Sequence, residues 1–363
     1  MEKVNIGIIG CGSISELHAN GYLKHPRANL VAICDSSEQA LQEKSQQWGI
    51  KKTYQNYEDM LLDPEVDAVD IITPHYLHAK MTINSLEAGK HVSVQKPMAI
   101  TLNDCRNMKE VSMKSTGSFR VFENFKFYPP LQMAKKMLDN GEIGDPISIR
   151  MKAVQGSLKY GWKVDQGTLE WRYKDELSGG GRVVFDYGYH LFAVALDFLG
   201  SVENIFASIK EVSNEKGWVR DSPAQIIWNY RNSDMQGSWE AVSSDEMVVK
   251  SDYWPEDEWF ELTGTKGFIW VNRCTGKLLE KPPITMLRDG KLKEIGLDEI
   301  DWDWGSSFKL GMFDYVDSII EGRQSPLSAS EAIEVFKLAR AAQLSSKKKM
   351  LIDLEDPDFL SAI

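Results

Sequence analysis

The chain has 363 residues, of which 42% are hydrophobic and 26% are charged, and it carries a formal net charge of −11 at pH 7. This length favours two folded domains, and these proportions exclude a disordered or fibrous protein. The negative charge opposes binding to a phosphate backbone, so nucleic acid is not an expected partner. With no apolar stretch near ~20 residues and four scattered cysteines, we expect a cytoplasmic protein with no membrane partner.

The N-terminus predicts the strand, turn and helix of a dinucleotide-binding unit. An apolar strand at Val4 to Ile9 is followed by Gly10-Cys11-Gly12 and a helical pattern through Leu23, and a second strand from Leu30 ends on Asp35. Such glycines let the backbone approach a pyrophosphate, and a carboxylate after the second strand accepts ribose hydroxyls. The predicted cofactor-binding residues of this unit are Gly10, Gly12, Ser13, Ile14 and Asp35.

Two details refine the prediction for the cofactor. Ser15 occupies the third glycine position of the fingerprint, which predicts looser packing of the helix on the strand. Asp35 is followed by Ser36 and Ser37 and by no arginine, so a 2′-phosphate would meet a carboxylate without a guanidinium. This composition favours NAD, and NADP is the less favoured cofactor.

Alternating strands and helices continue to residue 125. Apolar strands are predicted at 68–72, 91–94 and 119–123, with helices at about 76–88 and 102–115. This alternation predicts an α/β fold with a doubly wound parallel sheet, the Rossmann fold, in an NAD-binding domain over residues 1–125.

After residue 126 the pattern changes to strand alternation, as at 147–151 and 226–230, interrupted by a helix at 186–199. Residues 126–363 are therefore predicted to form a second domain around one broad sheet. Ser328 and Glu331 have the spacing of a capping box before a helix at 332–345, and the acidic, aromatic stretch 252–260 is expected to be a solvated loop.

Lys96 in the tripeptide Gln95-Lys96-Pro97, together with Asp186 and His190, carries the chemistry that this sequence suggests. An X-Pro bond after a strand can be cis and would turn Lys96 out of the sheet. Asp186 and His190 are four positions apart, so a carboxylate can orient the imidazole. Taken alone, Lys96 is better explained as a surface lysine, and Asp186 and His190 fit a helix-start acid and a core histidine equally well.

Together these motifs, with Thr73-Pro74, His78 and Gly179 to Gly181, resemble the Gfo/Idh/MocA family of oxidoreductases nearly end to end. The resemblance implies a Rossmann domain and then an α/β domain whose large, mostly antiparallel sheet carries the substrate on one face and subunit contacts on the other. It implies a homodimer or homotetramer. It also implies a cis Lys96–Pro97 bond, and Gln95 departs from the Glu of the family.

The resemblance assigns roles to individual residues. Cofactor-binding positions implied after the glycine turn are Thr73, Pro74, His78, Gln95 and Lys96. Catalytic positions implied by the resemblance are Lys96, Asp186 and His190. Predicted substrate-binding positions are Asn124, Lys126, Trp171, Arg172, Asp186 and His190. The aromatic Trp171 could instead fill a core or a subunit interface.

The predicted function is NAD-dependent hydride transfer from or to a hydroxyl-bearing carbon of a sugar, polyol or sugar derivative. His190 would take the hydroxyl proton, and Lys96 would stabilise the developing alkoxide. Two alternatives stay open, namely a redox-neutral lyase or glycosidase with tightly bound NAD and a non-catalytic NAD-binding regulator. No metal is predicted, because His75, His78 and His91 have no acidic or thiol partner at ligand spacing.

Overall fold

A computed structural model describes residues 2–164, 169–215 and 217–363, in two compact units. Unit 1 comprises Met1–Asn124, Lys174–Gly179 and Phe308–Ile333. Unit 2 comprises Phe125–Tyr173, Gly180–Ser307 and Glu334–Ile363. Within the described ranges, no helix combines the length and the apolar character needed to cross a bilayer.

The core of unit 1 is a parallel sheet of six strands. These strands are β1 (Val4–Ile9), β2 (Ala28–Cys34), β3 (Lys52–Tyr54), β4 (Ala68–Ile71), β5 (His91–Gln95) and β6 (Phe119–Phe122). They lie in the order β3-β2-β1-β4-β5-β6, and every neighbouring pair is parallel. The central strands are buried along nearly their whole length, as expected for a parallel sheet covered on both faces. This strand order confirms the predicted Rossmann fold.

Helices follow the strands of unit 1 in alternation. These are α1 (Ser15–Lys24), α2 (Glu38–Trp48), α3 (Tyr57–Leu61), α4 (His75–Glu87) and α5 (Leu102–Lys114). The predicted strands and helices agree with these bounds within a few residues. Between Asp35 and residue 68 nothing was predicted, and α2, β3 and α3 lie there. Ser15 is fully buried in α1, and its hydroxyl donates to the Gly12 carbonyl at 2.6 Å, so its polar atom is satisfied.

Unit 2 contains a mixed sheet of nine strands. Its strands are β7 (Pro146–Gln155), β8 (Val202–Ile209), β11 (Ala224–Tyr230), β12 (Gln236–Ser243), β13 (Glu256–Gly264), β14 (Gly267–Val271), β15 (Ile284–Arg288), β16 (Lys291–Ile295) and β17 (Ile352–Asp353). A separate two-stranded ribbon is formed by β9 (Val212–Ser213) and β10 (Val219–Arg220). The order is β16-β15-β14-β13-β7-β12-β11-β8-β17, and only β7 and β12 pair in parallel. The predicted large, mostly antiparallel sheet is confirmed.

Further helices in the described residues are α6 (Pro129–Asp139), α7 (Asp175–Ser178), α8 (Gly188–Leu199), α9 (Trp304–Glu321), α10 (Ala329–Lys348) and α11 (Pro357–Ala362). Short 3-10 helices lie at Asn124–Phe127, Leu158–Tyr160 and Trp171–Tyr173. The predicted capping box starts α10: the Ser328 amide donates to Glu331 Oε2 at 2.7 Å, and the Glu331 amide donates to Ser328 Oγ at 3.4 Å.

The helix predicted at 186–199 is confirmed and begins earlier, at Arg182. Residues Arg182–Tyr187 form a π-helix after three glycines with positive φ, and α8 continues from Gly188. One local prediction was wrong. The stretch 252–260 is not a solvated loop throughout, since Glu256–Phe260 belongs to the buried strand β13. The Asp257 carboxylate accepts hydrogen bonds there from the amides of Cys274 and Gly276. These bonds offset the cost of burying a charge, which was the reason to expect an exposed segment.

Candidate active site

Predicted site residues lie just beyond the carboxyl ends of five strands in the parallel sheet of unit 1. Gly10 follows β1, Asp35 follows β2, Thr73 lies two positions beyond β4, Lys96 follows β5, and Asn124 lies two positions beyond β6. Parallel strands end at the same edge of a sheet, so these positions share one edge. The strand order changes direction between β1 and β4, and such a switch point is where open α/β sheets bind their ligands.

The turn after β1 requires glycine at its first position and leaves space at its second. Gly10 has φ +102°, and a Cβ there would lie 2.2 Å from the Ile72 carbonyl oxygen. A Cβ built on Gly12 meets no atom within 4 Å in the described part of the chain. The absence of a side chain at Gly10 therefore allows two backbone segments to pack closely. At Gly12 it leaves the surface open, so that a cofactor can approach the backbone.

Ser13 and Ile14 lead from this turn into α1. Ile14 is the N-cap residue, and no side chain of the described residues caps the helix. The amides of Ser15, Glu16 and Leu17 donate to the carbonyls of Gly12, Ser13 and Ile14. The amides of Ser13 and Ile14 precede this turn, at the helix N-terminus beside Gly12. Such an end carries partial positive charge and suits a phosphate group.

Asp35 is held beside the glycine turn by two backbone amides. Its Oδ2 accepts from the Cys11 amide and its Oδ1 from the Ser37 amide, both at 2.8 Å. The side chain is partly exposed. A carboxylate fixed in this way can accept the hydroxyls of an adenosine ribose. The residues fit NAD, whose site needs this acid, a close-approach glycine and a helix N-terminus.

The loops after β4 and β5 are joined by His78. Its ring nitrogens lie 2.7 Å from the Pro97 carbonyl oxygen and 2.9 Å from the Thr73 carbonyl oxygen, and the residue is fully buried in α4. Pro74 is the N-cap residue of the same helix. The structure therefore brings together Thr73, Pro74, His78 and the segment after Lys96, with His78 fixing both loops.

The peptide bond between Lys96 and Pro97 is cis, which confirms that expectation. Gln95, the last residue of β5, accepts a hydrogen bond from the Lys96 amide at 2.8 Å through its Oε1. Its Nε2 lies 3.2 Å from His18 Nε2. Sequence reasoning missed His18, because a histidine within a helical pattern carries no signal of such a contact.

In unit 2, the buried Asp186 forms a cluster with two partly exposed arginines. Its Oδ2 accepts from Arg172 Nη1 at 2.5 Å and from Arg182 Nη1 at 3.1 Å. The Arg172 guanidinium also lies over the Trp171 ring, 4.6 Å from its centroid. The predicted residues Asp186, Arg172 and Trp171 are thus brought together. Arg182 was missed, although its i to i+4 spacing from Asp186 offered a signal.

His190 lies in α8 with its ring stacked on Phe125, the centroids 4.5 Å apart and the planes 13° from parallel. The Tyr187 ring meets it edge-on at 6.1 Å. The Tyr187 hydroxyl donates to Glu258. Burial, aided by the charges of Glu256 and Asp257, raises the pKa of Glu258 to about 8, so this acid is largely protonated at neutral pH.

The other predicted substrate residues have varied surroundings. Asn124 is buried at the start of a 3-10 helix. The Lys126 ammonium forms an ion pair with Asp197 Oδ1 at 2.6 Å. A lysine in such a pair is held in place and can still share its remaining donors with a ligand.

Comparison with known proteins gives matches along most of the chain. Residues 4–122 match the Gfo/Idh/MocA model described as "Oxidoreductase family, NAD-binding Rossmann fold", and residues 131–270 match the model of the GFO/IDH/MocA C-terminal domain. Together the two models cover well over half of the chain.

Among curated relatives, levoglucosan dehydrogenase of Pseudarthrobacter phenanthrenivorans is 26% identical over 62% of this chain, and the chain spans only 57% of that relative's length. Myo-inositol 2-dehydrogenase of Thermotoga maritima is 24% identical over 97% of this chain and 99% of its own length. An oxidoreductase of Agrobacterium radiobacter, solved in complex with NAD+, L-tartaric acid and magnesium, has the same fold: the TM-score is 0.83 at 21% identity, covering 97% of this chain and 98% of that one.

Proposed function

Because the chain belongs to the Gfo/Idh/MocA family of oxidoreductases, we propose that it is a dehydrogenase acting on a hydroxyl-bearing carbon of a sugar, polyol or sugar derivative, with NAD as the hydride carrier. The proposal rests on one edge of the parallel sheet. There the Gly10 turn follows β1, the Asp35 carboxylate follows the neighbouring strand β2, and Lys96 follows β5, two strands away from β1. A cofactor site and a reactive amine on one edge are what hydride transfer from an alcohol needs.

The cofactor would be held by residues of unit 1. Gly12 would allow the pyrophosphate to approach, the amides of Ser13 and Ile14 would bind it, and Asp35 would accept the ribose hydroxyls. The absence of an arginine beside Asp35 in the sequence favours NAD over NADP. Further contacts toward the nicotinamide end are proposed for Thr73, Pro74, His78, Gln95 and Lys96.

Bound NAD supplies a ring that accepts the hydride, meaning the hydrogen and the electron pair of the substrate C–H bond. The hydroxyl proton must leave for a base as the carbon–oxygen double bond forms, and we assign that base to His190. Lys96 donates a hydrogen bond to the same oxygen, which stabilises the negative charge that develops there. Asp186 completes the proposed catalytic set.

The proposed substrate class rests on the polar and aromatic groups of unit 2. Asp186 and Arg172 offer an acceptor and donors in a fixed pair, and the Trp171 ring beside them suits the C–H face of a sugar. Asn124 and Lys126 are proposed as further substrate contacts. Relatives named for levoglucosan and myo-inositol are consistent with a polyhydroxylated ring.

We further propose that residues 1–125 bind the cofactor and that residues 126–363 bind the substrate and associate into a homodimer or homotetramer in the cytoplasm. The exposed side chains of Ile147, Phe206 and Ile227 on the sheet of unit 2 support association, with Phe206 and Ile227 directly paired across β8 and β11. The four cysteines are buried thiols, as expected in a reducing compartment. Light scattering of Ile227→Asp beside the wild type tests the assembly, with a smaller particle expected for the variant.

The function is tested by incubating the purified protein with a panel of sugars, polyols and glycosides, with NAD or NADP, and recording absorbance of the reduced cofactor. We expect net NADH from at least one polyhydroxylated compound and a higher kcat/KM with NAD than with NADP. Product formed without net NADH, by protein that retains NAD through purification, would instead indicate a redox-neutral reaction. Tight NAD binding with no turnover of any compound would favour a regulator.

A further inference from the structure

A chain of hydrogen bonds inside unit 1 connects a buried carboxylate to the backbone of Lys96. Asp70 Oδ2 lies 2.7 Å from His18 Nδ1, His18 Nε2 lies 3.2 Å from Gln95 Nε2, and Gln95 Oε1 accepts from the Lys96 amide at 2.8 Å. Asp70 and His18 are fully buried. The residues come from β4, α1 and β5, so three separate elements meet at the residue before the proposed catalytic lysine.

The position of each proton in this series of hydrogen bonds follows from the Lys96 amide at its end. The Lys96 amide can only donate, so the Gln95 atom facing it is the carbonyl oxygen, and the Gln95 NH₂ group must face His18. That NH₂ group also only donates, so His18 Nε2 must present a lone pair. His18 is therefore neutral with its proton on Nδ1, which it donates to Asp70.

The surroundings hold Asp70 in its ionised form. Asp70 Oδ2 accepts hydrogen bonds from His18 Nδ1 and from the Tyr22 hydroxyl, and these bonds and the charge of the Arg120 guanidinium favour the carboxylate form. Burial, with the charge of Asp70, raises the pKa of Tyr22 well above its ordinary value, so this hydroxyl stays a donor. Tyr315, from α9, is a further titratable group that acts on Tyr22 and on which the charge of Asp70 acts.

Aromatic rings shield the imidazole from competing water. The Phe122 and Phe308 rings meet His18 edge-on, with centroids at 4.9 and 5.4 Å. A hydrogen bond in such surroundings is stronger than one exposed to water, and leaving one partner unsatisfied is correspondingly costly. The orientation of the Gln95 amide is thus fixed from both sides.

This network accounts for Gln at the position where the family tripeptide has Glu. A glutamate at position 95 would present two acceptor oxygens, one to the Lys96 amide and one to His18 Nε2. Two acceptors facing each other repel, so His18 would have to take up a second proton to keep the contact. Gln95 makes the same link with no change of charge.

We propose that Gln95 is a positioning residue, held by the Asp70–His18 pair, that fixes the backbone of Lys96 independently of pH. The proposal rests on the proposed catalytic role of Lys96. Both ends of the Gln95 side-chain amide are engaged by the protein. The proposed contact of Gln95 with the cofactor is therefore one of its backbone, and its side chain acts on the reaction through Lys96.

The protonation state is tested first, by nitrogen NMR of the full-length protein labelled with ¹⁵N-histidine, with His18→Gln used to assign the signal. We expect the His18 ring of the wild type to show one protonated nitrogen, Nδ1, across the neutral pH range. In Gln95→Glu both ring nitrogens should be protonated at the lower pH values. A wild-type signal from the Nε2-protonated tautomer, or from imidazolium, would overturn the proposal whatever the protein's reaction is.

The positioning role is tested by the pH dependence of kcat for the wild type, Gln95→Glu and Gln95→Met. As pH rises from about 6 to about 9, kcat of Gln95→Glu should fall relative to the wild type by about tenfold or more, since His18 loses the proton that the glutamate requires. Gln95→Met removes both contacts, so its kcat should be reduced by the same factor at every pH. The dissociation constant of NAD should change by less than about threefold in both variants.

Gln46→Glu is the matched control, because it adds the same charge on an exposed face of α2 in the same unit. Its kcat should follow the wild type at every pH. Gln95→Glu with the pH profile of the wild type, or with a loss that does not vary with pH, would refute the proposed positioning role. If the NMR result holds but Lys96→Met remains active, the hydrogen-bond chain stands and the proposed function of Lys96 fails, so the two failures are distinguishable.

Discussion

Alanine at Gly10 should lower stability and alanine at Gly12 should weaken cofactor binding, although the two glycines are only two residues apart. Gly10→Ala places a Cβ 2.2 Å from the Ile72 carbonyl oxygen in a residue with φ +102°. A positive φ costs a residue with a Cβ about 1–2 kcal/mol. Forcing a methyl group into packed backbone costs about 1–3 kcal/mol. Gly10→Ala should therefore lose about 2–5 kcal/mol of unfolding free energy. Gly12→Ala meets no protein atom within 4 Å in the described residues and should leave stability unchanged.

The cofactor provides the second half of this prediction. If the pyrophosphate passes over Gly12, a methyl group there should raise the dissociation constant of NAD about tenfold or more. Thermal unfolding without NAD and fluorescence titration with NAD measure the two effects separately. Wild-type NAD affinity in Gly12→Ala would show that the cofactor does not approach this turn. An unchanged unfolding midpoint in Gly10→Ala would refute the close-approach argument.

Three further predictions follow. Asp35→Ala should lower kcat/KM for NAD about tenfold or more relative to NADP, measured with one substrate, because the ribose hydroxyls lose their acceptor. The pKa of Glu258 is raised from 4.5 to about 8. Between these two pH values the folded protein binds more protons than the unfolded chain, so the free energy of unfolding falls as pH rises, by about 1.4 kcal/mol per pH unit. Denaturant titrations should show a flatter decline for Glu258→Gln, which mimics the protonated acid. Ser328→Ala removes an N-cap acceptor and should cost about 1 kcal/mol by the same measurement.

Each of these predictions has a control and a contrary outcome. Glu246→Gln removes an exposed carboxylate and should keep the pH dependence of the wild type. A decline as steep in Glu258→Gln as in the wild type would show that another group titrates. An Asp35→Ala enzyme that keeps its preference for NAD would contradict the ribose assignment. No loss of stability in Ser328→Ala would mean that the capping contact contributes nothing.

The fold of unit 1 could be predicted from sequence because its signals are local. Buried parallel strands are continuous apolar runs, and Gly10 and Gly12 mark the turn into α1. The three-residue strand β3 is too short to carry a pattern. In unit 2 the alternation of β7 is readable, with Ile149 and Met151 buried and Arg150 exposed between them.

The acids of β13 could not be predicted from sequence, because their burial depends on partners far along the chain. Asp257 and Glu258 read as solvated charges until Cys274, Thr275 and Gly276 are known to supply amide donors. The same reason hides the Asp70–His18 pair, which joins residues 52 positions apart. Long-range hydrogen bonds leave no periodic signal, and they decide where a charge can be buried.

Turnover by Lys96→Met tests the central claim most directly. The variant keeps an unbranched side chain of similar length and removes the ammonium, while Lys51→Met removes a lysine from an exposed position of the same unit and serves as the control. We predict that Lys96→Met binds NAD with nearly wild-type affinity and loses substrate-dependent NADH formation by about a thousandfold, with Lys51→Met unaffected. Lys96→Met that forms NADH at a rate near that of the wild type would contradict the account.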